Sequence, residues 1–171
     1  MENIEKLPML GFADSLKTVF GKLLDFNGRA RRSELWWSYL AITVASYVLQ
    51  QFVPNLWAGI FIATLSHLLL LSVTVRRMHD RNMSGIWPVV SVILTTYQQC
   101  YLMATGLPEK VKAVNPDLGD IMQVFGDPLI YLPTIVLMIT NLVIFITCLL
   151  DSKPADNKYG ISPKYSKIEQ L

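Results

Sequence analysis

Charged residues are scarce in this 171-residue chain. Asp, Glu, Lys and Arg make up 16% of it, against about a quarter in soluble globular proteins, and residues 35–75, 82–108 and 128–150 contain none of them. Each of these runs reaches the roughly 20 residues that cross a bilayer as a helix. With 52% hydrophobic residues, the composition excludes a disordered protein or a soluble nucleic-acid-binding protein and predicts a multi-pass membrane protein.

Cysteine is scarce as well. The chain has two, Cys100 and Cys148, which is too few for a secreted disulfide scaffold. The sequence also lacks the His-x-x-x-His and Cys-x-x-Cys spacings of common metal sites. We therefore expect no metal or other cofactor, and we expect both thiols to serve in packing.

The charge-free runs divide into four predicted spans. Pro54 and Asn55 form a turn dipeptide that splits the longest run in two. The sequence predicts an all-α fold, an integral membrane bundle of four transmembrane helices. The spans are residues 35–53, 56–75, 85–103 and 129–150, within a domain at 29–150 that has an outer loop at 104–127 and is flanked by segments 1–28 and 151–171.

The distribution of Lys and Arg predicts the orientation of the bundle. Of the 15 basic residues, 13 precede the first span, lie between the second and third, or follow the fourth. By the positive-inside rule, both termini face the cytoplasm. This basic face is expected to meet anionic membrane lipids.

The segment before the first span has an amphipathic pattern. Leu16, Val19, Phe20 and Leu23 recur at helical spacing. We expect an amphipathic helix in the cytoplasmic membrane interface. The alternative is a helix packed under the bundle without lipid contact.

Polar and aromatic residues cluster beside the cytoplasmic ends of the predicted spans. Asp80 is expected to accept a hydrogen bond from Arg76 or from the Arg29 to Arg32 group, and Glu34 to pair with Arg76 or Arg77 across the helical hairpin. The cluster serves either as a structural charge network or as a binding site for a lipid or a protein partner. Its members are Arg29, Arg31, Arg32, Glu34, Trp36, Trp37, Arg76, Arg77, His79, Asp80 and Trp87.

Two polar side chains lie inside the predicted spans. Counted from the outer ends of their spans, His67 and Asn141 reach a similar depth. A direct pair between them would satisfy both groups within the bundle. The alternative is that each bonds its own helix backbone or a neighbouring Ser or Thr.

Three ordered motifs resemble a known family. They are G-R-A-R-R-S-E-L-W-W, R-R-M-H-D-R-N-M-S-G-I-W and D-N-K-Y-G-I-S-P. They are similar to those of the bacterial inner-membrane family known as "domain of unknown function 805", and the resemblance extends over residues 26–164. It implies a small multi-pass protein of the bacterial inner membrane and brings no agreed activity. The sequence departs from the family at Pro88, which replaces an aromatic residue, and in its long outer loop.

Three classes of function are compatible with these features. The leading one is a non-enzymatic membrane component that binds anionic lipid, a membrane-protein partner or a second copy of itself, and no nucleic acid. The second is a small oligomeric transporter or channel, although the spans hold no charged residues. The third is an enzyme acting on a lipid head group, with His79 as acid or base and Asp80 orienting it.

The predicted topology can be tested by cysteine labelling. In a chain with Cys100→Ser and Cys148→Ser, a cysteine introduced by Lys112→Cys should react with an impermeant reagent added outside. One introduced by Arg81→Cys should react only after the membrane is opened, because position 81 lies on the basic face. External reaction at position 81 but not at position 112 would refute the topology.

Overall fold

The computed structural model describes residues 4–106 and 118–167, which form six helices and a short sheet. The helices are α1 Phe12–Gly21, α2 Arg32–Gln51, α3 Leu56–Asp80, α4 Ile86–Ala104, α5 Leu118–Phe125 and α6 Pro128–Leu149, and the strands are β1 Ile4–Lys6 and β2 Tyr165–Lys167. The predominantly helical fold matches the prediction. The two-stranded sheet was not predicted.

Two of the described helices, α3 and α6, are long and apolar enough to cross a membrane. Helices α2 and α4 coincide with the first and third predicted spans. Large apolar side chains are exposed along the outer faces of these helices, among them Val44 and Val48 on α2 and Ile135 and Ile139 on α6. Continuous exposed apolar surface is typical of a protein that contacts lipid.

Local sequence signals fix two of the helix starts. The Asn55 side chain accepts hydrogen bonds from the backbone N–H groups of Trp57 and Ala58, and so caps α3. Asp127 accepts from Leu129 N–H at the start of α6, where Pro128 occupies the first helical turn. The turn dipeptide at residues 54–55 therefore separates α2 from α3 as predicted.

The helices pack in a sequential bundle. Helix α2 packs against α3, α3 against α4, and α4 against α6, while α3 also contacts α6. One buried apolar cluster joins α2, α3 and α6 through residues such as Leu35, Val73 and Cys148. The core therefore lies where the polar motifs are.

Helix α1 packs against this end of the bundle. It contacts α2 and α3, and Val19 is fully buried, whereas Phe20 is exposed. Phe12 meets Trp37 edge to face, with ring centroids 5.7 Å apart. The helix thus uses one face for packing and leaves apolar side chains on the other.

The first and last described segments are joined. Strands β1 and β2 pair antiparallel, with Glu5 opposite Ser166, and Leu7 N–H donates to Lys164 O at 2.9 Å. The segments that the sequence analysis separated as residues 1–28 and 151–171 therefore meet on one face. The predicted outer loop lies partly outside the described residues, and its described part contains α5.

Close packing at Gly85 provides a test of the α3–α4 junction. A Cβ added there would lie 2.6 Å from Val75 Cγ1 and 3.2 Å from His79 Nε2. Gly85→Ala should therefore lower the free energy of unfolding by about 1 to 3 kcal/mol through overpacking. Unfolding of the purified protein in mixed micelles would measure this.

Gly59→Ala is the matched control. Gly59 lies inside α3, and the described structure places no heavy atom within 4 Å of an added Cβ. Alanine should raise helix stability there by about 0.5 to 1 kcal/mol. If both substitutions were stabilising, the close approach at Gly85 would be wrong.

Candidate functional site

Asp80 is the centre of a buried charge network at the end of α3. Its Oδ1 atom lies 2.9 Å from Arg29 Nε and Nη2, and its Oδ2 atom lies 2.5 Å from Arg77 Nη1. All three side chains are 0% exposed. The expected hydrogen bond from one of the residues 29–32 is present, and Arg29 donates it. The partner of Asp80 within α3 is Arg77 rather than the expected Arg76.

The two arginines together carry two positive charges, of which Asp80 balances one. Residues after α6 supply most of the other acceptors, and Ala30 supplies one. Arg29 donates to the carbonyl oxygens of Lys153, Ala155 and Gly160 at 2.7, 2.9 and 3.3 Å. Arg77 donates to Ser152 Oγ at 3.1 Å and to the carbonyl oxygens of Ala30 and Leu150. Carbonyl dipoles thus stabilise the excess charge without a second carboxylate.

A second buried pair joins α2 to α3. Arg76 Nη1 lies 2.8 Å from Glu34 Oε1, with 1% and 5% of the side chains exposed, and this is one of the two pairs expected for Glu34. Among the described residues, Arg76 Nε and Nη2 have no hydrogen-bond partner, nor do the buried hydroxyls of Ser15 and Ser38. The ion pair is therefore buried without satisfying all N–H groups of Arg76.

His79 serves a structural contact in this arrangement. Its Nδ1 atom lies 3.3 Å from Gly28 O, and its ring stacks on Tyr159 with centroids 3.8 Å apart. The Asn157 side chain donates to His79 O at 2.9 Å. Because Asp80 bonds the two arginines, its carboxylate does not orient His79, as the enzyme hypothesis would require.

Four basic residues and one acidic residue line a small pocket at the edge of the network. The pocket has a volume of about 90 Å³. Its charged lining residues are Lys6, Arg31, Arg32, Lys164 and Asp151, and the others are Leu7, Pro8, Met9, Ser33 and Ser152. Arg32 Nη2 lies 3.2 Å from Asp151 Oδ1, and Lys164 Nζ lies 2.5 Å from Asp151 Oδ2. The hydrogen bond from Lys164 lowers the pKa of Asp151, so the carboxylate is ionised at neutral pH and the five side chains sum to +3.

Arg31 forms one wall of this basic pocket. Its guanidinium donates to Pro8 O at 2.5 Å and to Pro163 O. These bonds connect the segment before α1 to the segment before β2. Arg31 therefore places Lys6 and Lys164 on the same small surface.

The three predicted aromatic site residues take different positions. Trp36 is half-buried and meets Tyr39 and Phe145 edge to face, at 6.1 and 6.3 Å between centroids. Trp37 is exposed beside Phe12. Trp87 is half-buried in the first turn of α4. The aromatic residues therefore do not form one surface with the buried charges.

The prediction of a direct hydrogen bond between His67 and Asn141 is wrong. His67 Nδ1 lies 2.8 Å from Ala63 O on its own helix, and Asn141 Oδ1 accepts from Ser91 Oγ at 2.7 Å. This is the alternative that the sequence left open. The expected contact between their helices, α3 and α6, is present.

Sequence reasoning missed the role of the residues after α6. Ser152, Asn157 and Tyr159 contact the network directly, and Gly160 contributes its carbonyl with a φ of 128° that favours glycine. The D-N-K-Y-G-I-S-P stretch was the available signal, since it belongs to the family motifs. Any residue can offer its backbone carbonyl as an acceptor, so the sequence does not indicate which arginine this stretch contacts.

The described helices and buried charges define a helical protein with membrane-capable segments. The family model described as "Protein of unknown function (DUF805)" matches residues 23–161. The chain belongs to this family, as its motifs indicated. No curated protein and no solved structure matches it.

The network can be tested through its single carboxylate. Asp80→Asn leaves Arg29 and Arg77 buried without a counter-charge, and should lower the free energy of unfolding by about 3 to 5 kcal/mol. Asp14→Asn is the control, because Asp14 is exposed in the first turn of α1 and contributes about 1 kcal/mol or less. Equal unfolding midpoints in mixed micelles for the two variants would contradict a buried network.

Proposed function

We propose that this chain is a non-enzymatic component of the bacterial inner membrane that binds an anionic phospholipid head group in its basic pocket. In this proposal α2, α3, α4 and α6 span the membrane, and both termini face the cytoplasm. The single observation that carries it is the convergence of Lys6, Arg31, Arg32 and Lys164 on one small pocket.

Burial directs the proposal to this pocket rather than to the whole motif cluster. Arg29, Arg76, Arg77 and Asp80 are buried and engaged with one another, with Glu34 or with backbone carbonyls. A lipid would have to break these contacts to reach them. The cationic side chains at the pocket keep a formal excess of three charges over Asp151, and so favour an anion.

The position of the pocket favours a lipid over a soluble anion. Arg32 is the first residue of α2, and Asp151 follows the last residue of α6 by two positions. Both helices coincide with predicted spans, so the pocket lies where two spans leave the hydrocarbon. Phosphate groups of the inner leaflet lie at this level, and a juxtamembrane basic residue contributes about 1 kcal/mol to their attraction.

The surrounding surface also suits the membrane interface. Phe12, Phe20 and Leu24 are exposed on and just after α1, beside exposed Trp37. Aromatic and apolar side chains of this kind are enriched at head-group level. We therefore place the outer face of α1 in the cytoplasmic interface, with its inner face against the bundle.

Native mass spectrometry of gently solubilised protein tests the head-group site. The wild-type chain should retain one phosphatidylglycerol in preference to phosphatidylcholine. The double variant Lys6→Gln, Arg32→Gln should retain it about fivefold less or worse, because a lost charged contact of about 1 kcal/mol corresponds to that ratio.

The double variant Lys17→Gln, Lys153→Gln is the matched control. It removes the same charge from exposed residues outside the pocket. Its phosphatidylglycerol retention should stay near that of the wild type. Equal losses in both double variants, or equal retention of the two lipids by the wild type, would count against a specific site.

A further inference from the structure

A second, partly open cavity lies between the helices of the bundle, away from the basic pocket. Its volume is about 460 Å³, and its walls come from α2, α3, α4 and α6, with Trp36, Leu70, Val92 and Phe145 among the apolar lining. Ligand sites for small molecules commonly have volumes of roughly 300 to 1,000 Å³. The cavity is therefore large enough for a ligand.

Two polar side chains of the cavity have defined hydrogen-bonding roles. Ala63 O can only accept, so the 2.8 Å contact places the proton of neutral His67 on Nδ1. His67 Nε2 then remains an acceptor. Asn141 uses Oδ1 to accept from Ser91, which leaves its amide N–H groups as donors. Both side chains line the cavity.

The lining of the cavity, which is made by described residues alone, contains no Asp, Glu, Lys or Arg. An ionised ligand group would lose its hydration there without gaining a counter-charge. A pure hydrocarbon would fill the volume but leave the His67 acceptor and the Asn141 donors unsatisfied. A neutral molecule with one small polar group satisfies both requirements.

We propose that this cavity binds one neutral, lipid-soluble molecule that carries a hydroxyl or carbonyl group on a hydrocarbon chain. Asn141 donates to the ligand oxygen, and His67 accepts from a hydroxyl. The hydrocarbon lies along the apolar walls between α2 and α6. This site is independent of the proposed head-group pocket, which lies at the ends of the helices.

Photolabelling tests the cavity with a matched pair of competitors. The probe is a hexadecanol that carries a diazirine on its chain, applied to the full-length protein in detergent. Because the diazirine is on the hydrocarbon chain, cross-links should map to cavity-lining residues of α2 or α6. Unlabelled 1-hexadecanol should compete at a concentration about fivefold lower than hexadecane, the ratio expected for one hydrogen bond.

Two variants locate the hydrogen bond. Asn141→Leu should raise the half-competing concentration of 1-hexadecanol about fivefold, whereas Gln99→Leu, which removes an amide from α4 outside the cavity lining, should leave it unchanged. The competitor pair tests the wild-type chain even if Asn141→Leu fails to fold. Equal competition by the alcohol and the hydrocarbon would show an unspecific lipid chain, and cross-links confined to the outer helix faces would likewise overturn the proposal.

Discussion

The arrangement of one end of the helical bundle depends on one buried carboxylate. Asp80 is completely buried at the end of α3, where an unpaired charge would destabilise the fold by several kcal/mol. Arg29 and Arg77 pair with it, but together they bring a second positive charge into the same space. Carbonyl oxygens after α6 accept further N–H groups from both arginines. One charge thus brings together the start of α2, the end of α3 and the segment beyond α6.

Several arginines of the family motifs are buried in these ion pairs, so the motif as a whole does not indicate a lipid-binding surface. Arginines beside a membrane span invite a lipid-binding interpretation, yet Arg29, Arg76 and Arg77 are directed inward to protein partners. Arg31 and Arg32 have the same residue type and nearly the same place in the sequence, but they lie on the rim, where a basic pocket remains open. Burial, rather than residue type, therefore separates the structural members of the motif from those available to a ligand.

Helices α2, α3, α4 and α6 could be predicted from the sequence, because charge-free runs and capping residues are local signals. Helix α5 lies in the predicted outer loop and was not predicted. The predicted span at 85–103 differs by one residue at each end from α4, Ile86–Ala104, whereas α3 continues five residues beyond its predicted span to Asp80. Hairpin geometry predicted that Glu34 pairs with Arg76 or Arg77, and the partner is Arg76. The choice of Arg77 for Asp80 could not be predicted, because residues three and four positions away are both neighbours on a helix. The hydrogen bonds to carbonyl oxygens after α6 and the β1–β2 sheet could not be predicted either, because both depend on backbone contacts between segments that are distant in the sequence.

The charged end of the described bundle and the cavity beside it are built by different means. At the end that carries Asp80, ion pairs, the His79–Tyr159 stack and the close fit at Gly85 hold α2, α3 and α4 in one arrangement, because any shift would leave a buried charge without its partner. Next to this network, α2, α3, α4 and α6 line a partly open cavity. A cavity removes van der Waals contacts and so weakens the packing that would otherwise fix the helices. The buried network supplies that constraint from one end, so the helices keep a defined arrangement beside the cavity.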